Sequence, residues 1–284
     1  MTGIPRSGTT WVARLLAGSD ATAMLGREPM NPRAGQYALG GRLHGWVRLE
    51  HPDEGVVRSL RRVYAGREPR TFGRYGVRQW RAAAPGTCLV VKDPFALLSI
   101  QAVCELTRAT PVVVFRSAAE TLSSYRRMGW TADTEEFAAL GAGDEVSDDV
   151  AAMAQFWGWG YDQALDSLEA LAAQGRPSVV VSHADLTVAG SPGQNLLRGK
   201  LGLDPVSPVP VAASTSPATS ATDAQTDRVD PGRLHNFDRT PEEVLAQGRA
   251  YVDPGELARI EELTAATWAR LTAAKLAITA PRVA

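Results

Sequence analysis

Residues 3–11 combine glycines, hydroxyl side chains and one arginine in a pattern that can bind an anion. The segment reads Gly-Ile-Pro-Arg-Ser-Gly-Thr-Thr-Trp and precedes a predicted helix over residues 9–18. In a strand–turn–helix unit, the turn amides and the helix N-terminus face the same anion. Gly8 lets the backbone approach that anion closely. Hydroxyl donors are added by Ser7, Thr9 and Thr10.

The two glycines of this turn, Gly3 and Gly8, have the separation found in the phosphate loop of nucleotide hydrolases, G-x-x-x-x-G-K-[ST]. The lysine position of that loop is Thr9 here, so the β- and γ-phosphates of a triphosphate would lose their main charged partner. The cation stands inside the turn instead, at Arg6. The turn therefore predicts a terminal phosphate-like group beside a transferring group, rather than a triphosphate with Mg²⁺.

A second candidate anion site follows an apolar, β-branched run at residues 111–115. Arg116 closes that run, and Ser124 stands eight residues further on, about two turns along a predicted helix. An arginine at a strand end and a serine at that spacing can converge on one phosphate. Considered alone, the pair is equally typical of a surface ion pair and a solvent-facing serine.

Residues 5–11, Pro-Arg-Ser-Gly-Thr-Thr-Trp, resemble the 5'-phosphosulfate loop of sulfotransferases that use 3'-phosphoadenosine 5'-phosphosulfate (PAPS). Arg116 and Ser124 resemble the 3'-phosphate motif of that family, and the similarity extends to about residue 203. The resemblance implies PAPS as cosubstrate without a metal. It also implies that Trp11 contacts adenine, although Trp11 could equally be a core residue of the first helix.

Sulfuryl transfer needs a base, charge stabilisation at the sulfuryl and leaving groups, and an acceptor held in line. Arg6 is the candidate for the leaving phosphate, and Lys92, at the end of the apolar run 87–91, resembles the lysine of the family that contacts the sulfuryl group. Glu28 resembles the Glu-Pro element of carbohydrate sulfotransferases and is the favoured base, with Asp93 second. The alternatives are ordinary ones: Lys92 pairs with Asp93, Glu28 pairs with an arginine, and Asp93 caps a helix.

Apolar runs alternate with helical patterns along the chain. Runs at 87–91, 111–115 and 178–181 are typical of strands buried on both faces. Helices are predicted over the ranges 53–64, 76–84, 95–107, 118–128, 148–173 and 254–274, with one more opening at Pro241. The pattern predicts an α/β fold with a P-loop-like, doubly wound parallel sheet flanked by helices.

A single domain is predicted over residues 1–284. Residues 27–85 form a candidate acceptor-side insertion, in which 12 arginines occur against five acidic residues between positions 27 and 81. This excess predicts either a solvated surface or a basic wall of a cleft. Residues 206–230, rich in Pro, Ala, Ser and Thr, predict a disordered connection or a lid.

Composition limits the partners. The net charge of −1 gives no general attraction to nucleic acid or anionic membranes, and no signal peptide or membrane-length apolar run is visible, so a cytoplasmic protein is expected. Cys88 and Cys104 predict buried thiols. The four histidines have no metal-ligand spacing and are interpreted as ordinary. Aromatic residues that could stack on an acceptor are Tyr37, Trp46, Tyr75 and Trp80.

The sequence thus predicts a PAPS-dependent sulfotransferase that acts on a hydroxyl of a glycan, a glycosylated metabolite or another small molecule. The alternatives are a P-loop kinase, which would need a loop lysine and a Mg²⁺-binding carboxylate, and a nucleotide-binding module without transfer. The sequence indicates neither the acceptor nor the oligomeric state.

Overall fold

The structure is a computed structural model, and it describes residues 1–32, 45–143, 146, 148–205 and 247–278. The α-helices of these ranges are α1 (Thr9–Leu16), α2 (Glu54–Tyr64), α3 (Ile100–Thr107), α4 (Ala118–Met128), α5 (Thr134–Ala139), α6 (Asp149–Ala173), α7 (His183–Lys200) and α8 (Pro254–Ala274). The strands are β1 (Thr22–Met24), β2 (Cys88–Val90), β3 (Val112–Phe115) and β4 (Val179–Ser182). Short 3-10 helices lie at Pro69–Thr71, Gln79–Arg81, Pro94–Ser99 and Gln247–Arg249.

The strands form two parallel pairs, β1 with β2 and β3 with β4. The first two residues of the chain connect the pairs by backbone hydrogen bonds. Met1 bonds to Val91 and Asp93 on one side, and Thr2 bonds to Val112 and Val114 on the other. Because all these contacts are parallel, the carboxyl ends of the strands meet at one edge, where α/β proteins usually bind ligands.

Helices cover both faces of the β3–β4 pair. Val113, Phe115 and Val180 belong to one apolar cluster, which also holds buried residues of α2, α3, α4, α6 and α8. The alternate residues of the same strands belong to a second cluster with α1 and α7. Strands buried on both faces need apolar residues at every position, which explains the continuous β-branched runs. The mixed α/β class is confirmed, while the doubly wound order remains a prediction.

Capping side chains explain why several predicted helices have their expected bounds. Ser117 and Glu120 form a capping box at the start of α4, and the Asp53 carboxylate accepts a hydrogen bond of 2.9 Å from the Val56 amide at the start of α2. Such a cap typically stabilises a helix by about 1 kcal/mol. Helices α4 and α8 have the predicted bounds.

Other expectations need correction. The helix predicted over 76–84 is only the 3-10 turn Gln79–Arg81, and the predicted 95–107 helix begins as the 3-10 helix Pro94–Ser99. Helices α5 and α7 were not predicted. Cys104 is buried as expected, but Cys88 is exposed, because it begins the short strand β2. The 206–230 segment and the helix opening at Pro241 lie outside the described residues.

Candidate functional site

The turn before α1 has a backbone that only glycine can supply at two positions. Gly3 has φ +156°, and a Cβ there would lie 2.1 Å from the carbonyl oxygen of Val114. Gly8 has φ +93°, and a Cβ there would lie 2.1 Å from Cδ2 of His183. The turn is therefore packed directly against the end of β3 and the start of α7. Its hydroxyl residues differ in exposure, since Ser7 and Thr9 are buried while Thr10 is half-buried.

Arg6 lies in this turn with φ +73°, a left-handed conformation that is uncommon for a residue with a side chain. Its Nε donates a hydrogen bond of 3.0 Å to Oγ of Ser124 on α4, and its guanidinium lies 5.8 Å from the centroid of the Trp130 ring. The first predicted motif is thus joined to the second across 118 residues of sequence. Functional sites commonly hold residues in such conformations.

Arg116 follows β3, as the sequence predicts, and its side chain is only 12% exposed. Its guanidinium lies 3.4 Å from Oε1 of Glu120, one turn further along α4. Its carbonyl oxygen accepts a hydrogen bond of 2.9 Å from the indole N–H of Trp157. The neighbouring Ser123 accepts from the Tyr251 amide at 3.3 Å, so it faces a different partner from Ser124.

A small cleft opens beside the turn at the ends of β1 and β2. Its lining consists of Thr10, Met24, Leu25, Gly26, Arg27, Glu28, Tyr75 and Lys92. Lys92 forms an ion pair with Glu28 and donates to Oγ1 of Thr10 at 3.3 Å. Glu28 also accepts a hydrogen bond from the side-chain amide of Asn31. The cleft therefore brings together the predicted base, the predicted sulfuryl contact and the first helical turn of α1.

Burial has the largest effect on the pKa of Lys92 in the cleft. The side chains of Lys92 and Glu28 are 11% and 12% exposed. Burial lowers the pKa of Lys92 to about 8, with Asp93 opposing that shift and Arg6 adding to it. A lysine with a pKa near 8 is largely charged at neutral pH but gives up its proton more easily than an exposed one.

Asp93 is not among the residues that line the cleft. Its carboxylate accepts hydrogen bonds from the Met30 amide at 2.5 Å and from the Phe95 amide at 3.1 Å, and it is 2% exposed. Burial raises its pKa to about 6, although the amides and Lys92 counteract the shift. Asp93 thus connects the end of β2 to the turn that carries Glu28. This arrangement matches the capping alternative rather than a base that faces an acceptor.

His183, interpreted from sequence as ordinary, lies against the turn at Gly8. Its ring is 5.4 Å from that of Trp11 in an edge-to-face contact. Burial lowers the pKa of His183 to about 4, and the positive charge of Arg116 lowers it further while Glu120 raises it. The imidazole is therefore neutral at physiological pH. Its position directly after the buried strand β4 was the sequence signal that could have identified it.

The aromatic residues proposed for the acceptor separate into three groups. Trp46 is a core residue, packed on Phe95 with ring centroids 4.7 Å apart. Trp80 is 77% exposed and is not among the residues that line the cleft. Tyr75 lines the cleft, and the Arg74 guanidinium stacks over its ring at 4.6 Å. Tyr37 lies outside the described residues.

Among the described residues, no cluster of three or more His, Cys, Asp or Glu side chains could hold a metal ion. No helix within the described ranges is long and apolar enough to cross a membrane.

Comparison with known proteins gives one structural similarity. No family model matches the chain, and no curated protein matches it. A solved structure titled "Sulfotransferase Domain from the Curacin Biosynthetic Pathway" is similar, with a TM-score of 0.47 and 20% sequence identity. The alignment covers 92% of this chain and 97% of that one. The function is therefore argued from the geometry of the site.

Proposed function

We propose that this protein is a sulfotransferase that moves a sulfuryl group from PAPS to a hydroxyl of a glycan, a glycosylated metabolite or another small molecule. The observation that carries the proposal is the contact between Arg6 and Ser124 at 3.0 Å. It joins an anion-binding turn without a lysine to the strand end that bears Arg116. PAPS has two separate anionic groups, and the two cationic residues Arg6 and Arg116 suit such a ligand.

In the proposed reaction, the acceptor oxygen forms a bond to sulfur while the bond between sulfur and the bridging phosphate oxygen breaks. The acceptor proton passes to the carboxylate of Glu28, and 3'-phosphoadenosine 5'-phosphate (PAP) leaves. The ion pair with Lys92 holds the Glu28 carboxylate in the cleft. Lys92 also offers positive charge to the sulfuryl oxygens, and Arg6 offers it to the leaving phosphate.

The geometry of Asp93 favours this reaction over phosphoryl transfer by a kinase. A kinase would need a carboxylate that is available to Mg²⁺ near the phosphates. Asp93 is the acidic residue at the corresponding strand end, and its two oxygens accept hydrogen bonds from the Met30 and Phe95 amides. Thr9, in the position of the loop lysine, offers no cation for a γ-phosphate.

Calorimetric titration without metal tests the proposal. PAP should bind in the micromolar range, with ADP and ATP at least about tenfold weaker, because they lack the 3'-phosphate and lose one charge-assisted contact. Binding of ATP that is tighter than PAP and depends on Mg²⁺ would replace the sulfotransferase with a kinase. Tight PAP binding, combined with no transfer from radiolabelled PAPS to any hydroxyl acceptor in a broad screen, would leave a nucleotide-binding module.

We further propose that the acceptor enters beside Tyr75, the aromatic residue in the lining of the cleft. Tyr75 offers a flat apolar surface of the kind on which sugar or aromatic rings stack. The neighbouring Arg27 and Arg74 give this side a positive charge that suits an acceptor with an anionic substituent. A free small molecule or glycan acceptor, a cytoplasmic location and the absence of nucleic-acid and membrane partners stay part of this proposal.

A further inference from the structure

Two polar aromatic side chains on α6 reach the end of β3 from one helical turn. The Trp157 indole N–H donates 2.9 Å to the carbonyl oxygen of Arg116. The Tyr161 hydroxyl donates 2.9 Å to the carbonyl oxygen of Val114 and accepts a hydrogen bond of 3.2 Å from the Ile4 amide. Residues four apart lie on the same face of a helix. Trp157 and Tyr161 are both fully buried.

Two of these hydrogen bonds end on residues of a candidate anion site, and the third ends on Val114 of β3. Ile4 belongs to the turn that carries Arg6, and its amide is held by Tyr161. Arg116 carries the second predicted phosphate contact, and its backbone is held by Trp157. Any buried indole or phenol needs a polar partner, but core packing alone does not require these partners. The carbonyls of Val114 on β3 and of Arg116 directly after it, together with the Ile4 amide, link α6 to both sites.

The turn and β3 lie too close together at Gly3 for a side chain to fit between them. A Cβ at Gly3 would lie 2.1 Å from the carbonyl oxygen of Val114, the atom that also accepts the Tyr161 hydroxyl. Tyr161 therefore fixes the turn and β3 at their closest approach. Removing its hydroxyl would leave the Ile4 amide without the phenol oxygen at a buried position, which favours a shift of the turn.

We infer that Trp157 and Tyr161 are positioning residues, each for one anion site, and that together they set the separation of the two sites. Tyr161 positions the turn for the 5'-phosphate end of the nucleotide, and Trp157 positions Arg116 for the 3'-phosphate. This inference rests on the proposed function, because it assigns the two sites to the two ends of PAP. It explains why a predicted core helix carries hydrogen-bonding aromatic residues at this spacing.

The test compares Tyr161→Phe and Trp157→Phe in titrations with PAP, AMP and adenosine 3'-phosphate. Tyr161→Phe should weaken PAP and AMP about tenfold, the loss expected for one buried hydrogen bond, with adenosine 3'-phosphate nearly unchanged. Trp157→Phe should weaken PAP and adenosine 3'-phosphate by a similar factor and leave AMP nearly unchanged. A merely structural role would weaken all three ligands together.

The matched control is Trp268→Phe on α8. Trp268 stacks on Trp157 at 6.3 Å between ring centroids, so its truncation disturbs the same packing while both α6 hydrogen bonds remain. Urea unfolding should show a lower stability for this variant, with all three affinities within about twofold of wild type, since packing alone is lost. Tyr161→Phe deletes only one oxygen atom and carries the test alone if Trp157→Phe does not fold.

The outcomes separate the inference from the proposed function. Wild type that fails to bind PAP would overturn both. Wild type that binds PAP, combined with variants that lose all three ligands equally or lose none, would overturn the positioning role and leave the sulfotransferase proposal in place.

Discussion

The two halves of the candidate site are built in different ways. On the proposed nucleotide side, Arg6 precedes α1, Arg116 follows β3 and His183 begins α7, while Ser124 lies within α4. On the proposed acceptor side, the cleft wall includes irregular segments around Gly26 and Gly73. Most residues of the first side follow from strand ends and helix starts, whereas the wall of the second depends on contacts between segments that are distant in sequence.

Those distant contacts are close. A Cβ at Gly26 would lie 2.3 Å from the carbonyl oxygen of Gly73, the Arg27 amide donates to the Thr71 carbonyl at 2.9 Å, and Met24 pairs with Val77. These contacts bring Tyr75 to the cleft. The difference between the two halves teaches that residues at the ends of helices and strands can be predicted from local sequence, while the position of Tyr75 depends on how loops pack.

The variant Glu28→Gln should give the largest difference between an effect on transfer and an effect on nucleotide binding. Glutamine keeps the shape of the side chain and cannot take a proton from the acceptor, so transfer should fall by about 10²- to 10⁴-fold, as expected for loss of a general base. PAP affinity, measured by calorimetry, should stay within about twofold, because Arg6 and Arg116 are untouched. The kcat should be measured with radiolabelled PAPS and the best acceptor found.

Asp93→Asn is the comparison for that variant. Asparagine can still accept one of the two backbone hydrogen bonds, from the amides of Met30 and Phe95, so a smaller loss of transfer is expected with a lower stability. Full activity of Glu28→Gln, together with an inactive but folded Asp93→Asn, would move the base to Asp93.

The residues of the proposed nucleotide side could be named from the sequence because their signals are local. The turn at residues 3–11 is one continuous string, and α4 begins at a capping box that the sequence displays. Arg116 and Ser124 are eight positions apart on a strand end and its helix. What the sequence could not supply was the Arg6–Ser124 contact, which spans 118 positions.

Residues of the acceptor side could be predicted from the sequence, but the contacts between them could not. Glu28 and Lys92 were both predicted, yet their ion pair joins residues 64 positions apart. Helix α7 was missed because Pro192 and several glycines interrupt its apolar period, and His183 was interpreted as ordinary because it has no metal-ligand spacing. Trp46 was proposed for the acceptor although its neighbours Phe95, Phe137 and Phe156 bury it, since composition does not indicate which aromatic residues form the core.

The contributions of His183 and Asp93 to the stability of the fold should depend on pH in opposite directions. The pKa of His183 falls from 6.5 to about 4 in the folded protein, so its contribution to stability is present above pH 6.5 and is lost as the pH falls towards 4. The pKa of Asp93 rises from 3.8 to about 6, so its ionisation destabilises the fold as the pH rises through that window. Each effect is on the order of 3 kcal/mol, and the two oppose each other.

Urea unfolding between pH 4.5 and 7 checks this opposition. His183→Gln should lose stability as the pH rises, because the Asp93 contribution is left alone. Asp93→Asn should gain stability more steeply than wild type over the same range, because the His183 contribution is left alone. Parallel curves for wild type and both variants would show that neither group titrates as the structure indicates.

Arg116→Ala has a smaller expected effect and tests the nucleotide side by itself. Loss of one charge-assisted contact should weaken PAP binding by about ten- to a hundredfold, while AMP binding should change by less than about threefold, because AMP lacks the 3'-phosphate.

The Glu120 carboxylate would lose its partner in the ion pair, so Glu120→Gln serves as the control: it breaks the same pair and keeps the cation. If Glu120→Gln weakens PAP as much as Arg116→Ala does, the ion pair rather than a phosphate contact explains the loss. If only Arg116→Ala weakens PAP more than AMP, the nucleotide side binds its 3'-phosphate through a residue at a strand end, which the sequence alone can identify. The contrast with the acceptor side, whose wall depends on loop packing, then holds.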